Sequence, residues 1–167
     1  MALSQQLARV SPQYLERCRE AAKISPDGDP RWDPPEADVL DLDRAVRELL
    51  RLCRRMWPDA RQGPVLRRAV DGDSRSAVSF LDHHGVHDGL DAPPALLAPA
   101  AVSVVARELV ALDIAPLLAE VPAYREAGGF SGFAGDPCAY LEGHFARLRE
   151  FYRVADEREM AVVAWVD

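Results

Sequence analysis

Residues 136–167 constrain the fold more than any other stretch, because they read as one long amphipathic helix followed at once by an apolar strand. Asp136 suits a helix N-cap, and Pro137 suits the first helical position, where a missing N–H costs nothing. Leu141, Phe145, Leu148, Phe151, Tyr152 and Ala155 recur at helical spacing on one face, while Glu142, Arg149, Glu150 and Arg153 fall largely on the other. Glu157, Arg158 and Glu159 break that pattern. Val162, Val163, Trp165 and Val166 then make a short run rich in β-branching, which predicts a buried strand rather than more helix. Each large side chain buried in this way contributes about 1.5–3 kcal/mol before entropy is subtracted, so this pair is expected at the centre of the domain.

The rest of the chain supplies helices to pack on it. A first short strand is expected within 3–10, and Ser11 with Pro12 opens a helix carrying Leu15, Cys18 and Ala22 that fades near Lys23. Five glycines and prolines at positions 26, 28, 30, 34 and 35 predict a mobile loop over 25–38, with Trp32 as its anchor. Asp41 or Asp43 is expected to cap a second helix that runs to Trp57 and stops before Pro58. A short helix follows from Pro64 to Gly72. The next stretch, 74–90, holds a brief helix through Val78, Phe80 and Leu81 and breaks at Gly85 and Gly89. Leu96 and Leu97 read as extended. Pro99 opens a helix with Val102, Val105, Leu109 and Leu112, Asp113 caps a shorter one through Leu117 and Leu118, and Pro122 begins one more turn. At 167 residues this is a single α+β domain over 1–167, several helices packed around a small sheet.

The formal charge of −7 disfavours nucleic acid as a partner. No apolar run is long enough to span a bilayer, and 1–10 lacks the pattern of a secretory signal. Cys18, Cys53 and Cys138 are odd in number and scattered, which predicts reduced thiols and a cytoplasmic location. The single lysine, Lys23, and the absence of asparagine and threonine fit GC-rich codon usage, so abundance of arginine alone says little about phosphate binding.

Charge is nevertheless organised. Within 27–43, seven carboxylates face one arginine; within 44–68, eight arginines face two carboxylates. On the second helix, Leu42, Val46, Leu49, Leu50, Cys53 and Met56 share one side, and Arg44, Arg47, Arg51, Arg54 and Arg55 share the opposite side. Either this stripe meets an acidic partner, or the acidic block neutralises it within the chain, or it is a solvated face.

Four stretches carry a family resemblance: Leu40-Asp41-Leu42-Asp43-Arg44 entering a helix; Pro64-Val65-Leu66-Arg67-Arg68-Ala69-Val70-Asp71-Gly72; the helix over 99–112 with its short successor after Asp113; and Leu148-Arg149-Glu150-Phe151-Tyr152 through Val163. Their order and spacing resemble the YfbM-like family, a bacterial domain of unknown function. The resemblance implies helices packed on a small sheet that includes the N- and C-terminal strands, and it implies no activity. Residues 73–94 depart from the family pattern, and Ala98 stands where a capping Ser is expected.

Three constellations carry chemical readings. His83 and His87 have the i, i+4 spacing of a helical zinc pair, with His84 between them and Asp82 and Asp88 beside them, so a divalent metal is one reading and a solvated polar loop the other. Cys138 falls in the first turn of the terminal helix, where a thiol becomes nucleophilic if its pKa is lowered; a small packing residue is the other reading. The loop 128–135, with four glycines and Phe130 and Phe133, fails the hydrolase elbow pattern at Phe133 and lacks the Lys of a phosphate loop, which leaves a hinge or surface loop docked by its phenylalanines. The absence of a credible catalytic set favours a non-enzymatic interaction domain that needs no cofactor and binds an acidic protein partner through the arginine face or the loop around His83. The alternative is a small metal-assisted, hydrolase-like enzyme built on His83, His84 and His87.

Overall fold

A computed structural model of the chain describes residues 4–56 and 62–167. Leu3, Trp57 and Pro58, at the expected ends of the first strand and second helix, lie outside the described residues. Four antiparallel strands form one sheet in the order β2–β1–β4–β3: β1 is Gln5–Val10, β2 Val39–Asp41, β3 Ala95–Leu97 and β4 Ala161–Val166. The two end strands of the chain are the central pair, in register from Gln5 opposite Val166 to Val10 opposite Ala161. The class is α+β, and the sheet does include the N- and C-terminal strands.

Both faces of the sheet are covered, which explains why β4 is a continuous apolar run instead of an alternating one. Leu7, Leu97, Val162 and Ala164 point into the larger core. There they meet α2 (Ala45–Met56), α3 (Gln62–Asp71), α4 (Pro99–Ala111), α5 (Ala115–Ala119) and α7 (Pro137–Glu157). Ala8, Val10, Val163 and Trp165 point the other way. They meet Leu15 and Cys18 of α1 (Pro12–Ile24), together with Val78, Leu81 and Val86. A short α6 (Val121–Glu126) leads into the glycine loop. No helix among the described residues is long and apolar enough to cross a membrane.

Local chemistry sets the helix starts. Ser11 Oγ accepts the Tyr14 N–H at 3.1 Å, and Asp136 Oδ1 accepts those of Cys138 at 2.9 Å and Ala139 at 3.4 Å. Ahead of α5, Asp113 Oδ1 accepts the Ala115 N–H at 2.9 Å. Ala98 makes no side-chain cap for α4. The start of α2 differs from expectation: Asp41 ends β2 and its carboxylate turns back to the Asp43 N–H at 2.7 Å, while Asp43 takes a left-handed backbone (φ 47°) and the helix begins at Ala45. The loop over 25–38 is anchored by Trp32, whose ring lies 5.6 Å from Tyr14 and 6.0 Å from Trp165, both edge-on. It closes on Asp38, a buried carboxylate that receives Arg9 Nε at 2.7 Å and Arg158 Nη1 at 2.6 Å.

Candidate functional site: an arginine face with an aromatic cleft

On α2, Ala45, Val46, Leu49, Leu52 and Cys53 are buried, and the helix therefore turns its arginines outward. Arg44, Arg51, Arg54 and Arg55 are exposed and Arg47 is half-buried. The acidic block before them does not cover them. The three of its carboxylates nearest the stripe are engaged elsewhere: Asp38 on Arg9 and Arg158, Asp41 on Ser4 and the Asp43 N–H, Asp43 on the Tyr140 hydroxyl at 2.8 Å. What pairing exists comes from other residues. Glu48 takes Arg51 Nη1 at 2.5 Å, and Asp91 takes Arg47 Nη2 at 3.0 Å. Arg44 and Arg54 have no carboxylate within 4.0 Å among the described residues.

Beside Arg44 and Arg51 the loop 128–135 folds over to make a cleft of about 340 Å³. Its wall is a run of rings: Tyr124 on Phe130 at 5.6 Å, Phe130 on Phe133 at 6.0 Å, Phe133 on Tyr140 at 4.9 Å. The loop chain reverses through Gly128 (φ 93°) and Gly132 (φ 76°), and a Cβ at Gly129 would collide with the Tyr124 ring. Tyr124 donates its hydroxyl to Glu48 Oε2 at 3.1 Å, and the Arg55 guanidinium lies 5.9 Å over its ring. Burial and then the bond to Asp43 push the Tyr140 phenol up to about 12; burial and then Glu48 raise that of Tyr124. Both phenols therefore stay protonated, acting as donors that hold Asp43 and Glu48 in place and not as bases. The free polar groups of the cleft include the guanidinium N–H donors of Arg44 and Arg51 and the Ser131 hydroxyl, which suit binding an anion.

The histidine segment is a turn, and its spacing is not that of a helix. His83 Nδ1 accepts the Gly85 N–H at 3.0 Å and His87 Nδ1 the Gly89 N–H at 3.2 Å, while His87 Nε2 meets Asp82 Oδ1 at 3.0 Å. A neutral imidazole has one acceptor nitrogen, and in both rings the backbone occupies it. His84 stacks on His83 at 4.1 Å. No group of three metal-ligating side chains is gathered among the described residues. Cys138 is half-buried at the start of α7, and its thiol donates to the Leu118 carbonyl at 3.6 Å. Burial first, then the charges of Asp136 and Glu142, raise its pKa. His144, also on α7, has a lowered pKa from burial and then Arg147.

Of the residues expected to matter, the structure brings the arginine stripe and the glycine loop together and leaves the histidines and Cys138 apart from both. Tyr124 and Tyr140 were not legible as site residues. They come from segments about 80 and 96 positions beyond Arg44, and only the ring spacing of 124, 130, 133 and 140 hinted at a wall.

No family model matches the chain, and no curated protein does. Among solved structures, the crystal structure of YfbM from Escherichia coli, a protein of unknown function, is similar over 98% of this chain and 99% of its own, with a TM-score of 0.60 and 14% identity. The chain therefore has a YfbM-like fold, in keeping with the order of stretches that suggested the resemblance.

Proposed function

We propose that the chain is a non-enzymatic cytoplasmic interaction domain that docks an acidic segment of a partner protein on the exposed arginines of α2 and the aromatic cleft beside them. The observation that carries this reading is the one about charge: Asp38, Asp41 and Asp43, the carboxylates adjoining the stripe, are spent on Arg9, Arg158, Ser4 and Tyr140. Arg44, Arg54 and Arg55, which have no carboxylate in reach among the described residues, attract an opposite charge from outside. Arginines next to partly buried tyrosine and phenylalanine are also the composition enriched where interfaces hold most tightly.

The test is co-purification from the native host at low salt, followed by binding measurements with the recovered protein. An acidic partner is expected, weakened about a hundredfold by the double charge reversal Arg44→Glu with Arg51→Glu, in keeping with the coupling of close interfacial charge pairs. The control Arg107→Glu, on exposed α4 surface, is expected to leave it unchanged. Undiminished binding by the double variant overturns the proposal, and so does finding that heparin or duplex DNA binds the face instead.

A further inference from the structure

A second cavity, of about 250 Å³, opens where α2 and α3 meet the β1–β4 pair, and the partner-docking reading makes no use of it. Its lining includes Gln5, Arg47, Arg67, Arg75, Asp71 and Asp91. Gln5 is the informative residue. It is 3% exposed, and its carboxamide nitrogen donates to the Val70 carbonyl at 3.2 Å, the Trp165 carbonyl at 2.9 Å and the Gln6 carbonyl at 3.4 Å. Those carbonyls decide which amide atom is which, because an oxygen placed there would face acceptors alone. The amide oxygen is thereby left without a partner among the described residues, as an acceptor available to the cavity that Gln5 lines. That oxygen is not sealed inside the fold, so it can accept from whatever fills the cavity.

The arginines add the other half. Asp91 already seats a carboxylate there: it takes Arg47 at 3.0 Å and the Ala92 N–H at 2.7 Å. The Ala92 bond holds its carboxyl below the usual range; Arg47 assists and burial opposes. Arg75 donates to the Pro93 carbonyl, and Arg67 is exposed with no carboxylate in reach among the described residues. A forked guanidinium recognises an oxyanion, and a lone acceptor recognises a hydroxyl. We propose that this cavity binds a small hydroxylated oxyanion, with Arg67 and Arg75 holding the anionic group and Gln5 Oε1 accepting from the hydroxyl. The volume lies below the range of drug-sized sites, which limits the ligand to a few carbons. A hydroxycarboxylate and a short phosphate ester share this chemistry.

Calorimetric titration of the full chain separates the two sources. The probes are malate and glycerol 3-phosphate, each paired with its analogue lacking the hydroxyl, succinate and propyl phosphate. Saturable binding of malate, or of glycerol 3-phosphate, is expected, and whichever binds identifies the anionic group. Arg67→Ala, an exposed position, is expected to weaken it about tenfold or more, the size of a hydrogen bond to a charged group. Gln5→Met is expected to erase the preference for the hydroxylated member of the pair, a readout that a purely structural role would not move. If Gln5→Met does not fold, Arg67→Ala carries the test alone. Absence of saturable binding by both hydroxylated probes, or binding indifferent to Arg67→Ala, overturns the proposal.

Discussion

Leu148→Ala is expected to destabilise the protein by about 3 kcal/mol and to lower its melting temperature by roughly 10 °C. Leu148 is fully buried in the middle of α7, the helix that packs on α2, α4 and the sheet at once. Truncating it removes apolar contacts and leaves a void that several elements frame, so relaxation of any one of them cannot close it. Val110→Ala, on exposed α4 surface, is expected to cost less than about 0.5 kcal/mol by comparison. Thermal and urea melts of both variants check the pair; a Leu148→Ala cost no larger than that of Val110→Ala would remove α7 from the centre of the core.

The second large effect concerns a charge. Asp38→Asn is expected to cost about 3 kcal/mol at neutral pH, because it strips the carboxylate from Arg9, whose side chain is 13% exposed, and from Arg158. Burial alone would raise the Asp38 pKa, but hydrogen bonds from Arg158 and then Arg9 outweigh it, and the net shift is downward. A carboxylate whose pKa is depressed on folding stabilises the fold fully above its unfolded value, near 3.9, and loses that contribution as pH falls through the folded value. The gap between the native chain and Asp38→Asn is therefore expected to be wide at pH 7 and to shrink below about pH 4. Urea melts at pH 7 and pH 3 measure it. Equal gaps at the two pH values would mean that the carboxylate's charge is not what ties the loop to the sheet.

How far the sequence could be read follows from which contacts are local. The α7–β4 pair was legible because its spacing carries the whole signal: Leu141 to Ala155 at helical intervals, then a run whose apolar continuity matches burial on both faces. The arginine stripe was legible for the same reason. The buried side of α2 was read less well, since Leu52 is fully buried where Leu50 was expected to be, and Leu50 is only half-buried. Strand β2 was missed. Its three residues lie among aspartates and prolines, and they become a strand only because β1 offers an edge at Leu7 and Ala8. Asp41 and Asp43, good capping residues by type, are instead drawn into the strand end and the turn after it. At the histidines, spacing left two readings, a metal pair and a solvated polar loop; in the structure Gly85 and Gly89 supply backbone N–H groups that occupy the Nδ1 acceptors of His83 and His87. Of the cleft only the docking of the loop by Phe130 and Phe133 was legible; its junction of Arg44 with Tyr124 and Tyr140 comes from tertiary packing.

The central claim is that α2 offers its arginines outward, uncompensated by the aspartates that precede them. An NMR titration of the full chain with a short polyglutamate peptide at low salt tests it most directly. Resonance shifts are expected at Arg44, Arg51, Arg54 and Arg55 and at the rings of Tyr124 and Phe130, all collapsing together at high salt. Shifts confined to Arg9, Arg158 or the surface of α1, or no shifts at all, would contradict it.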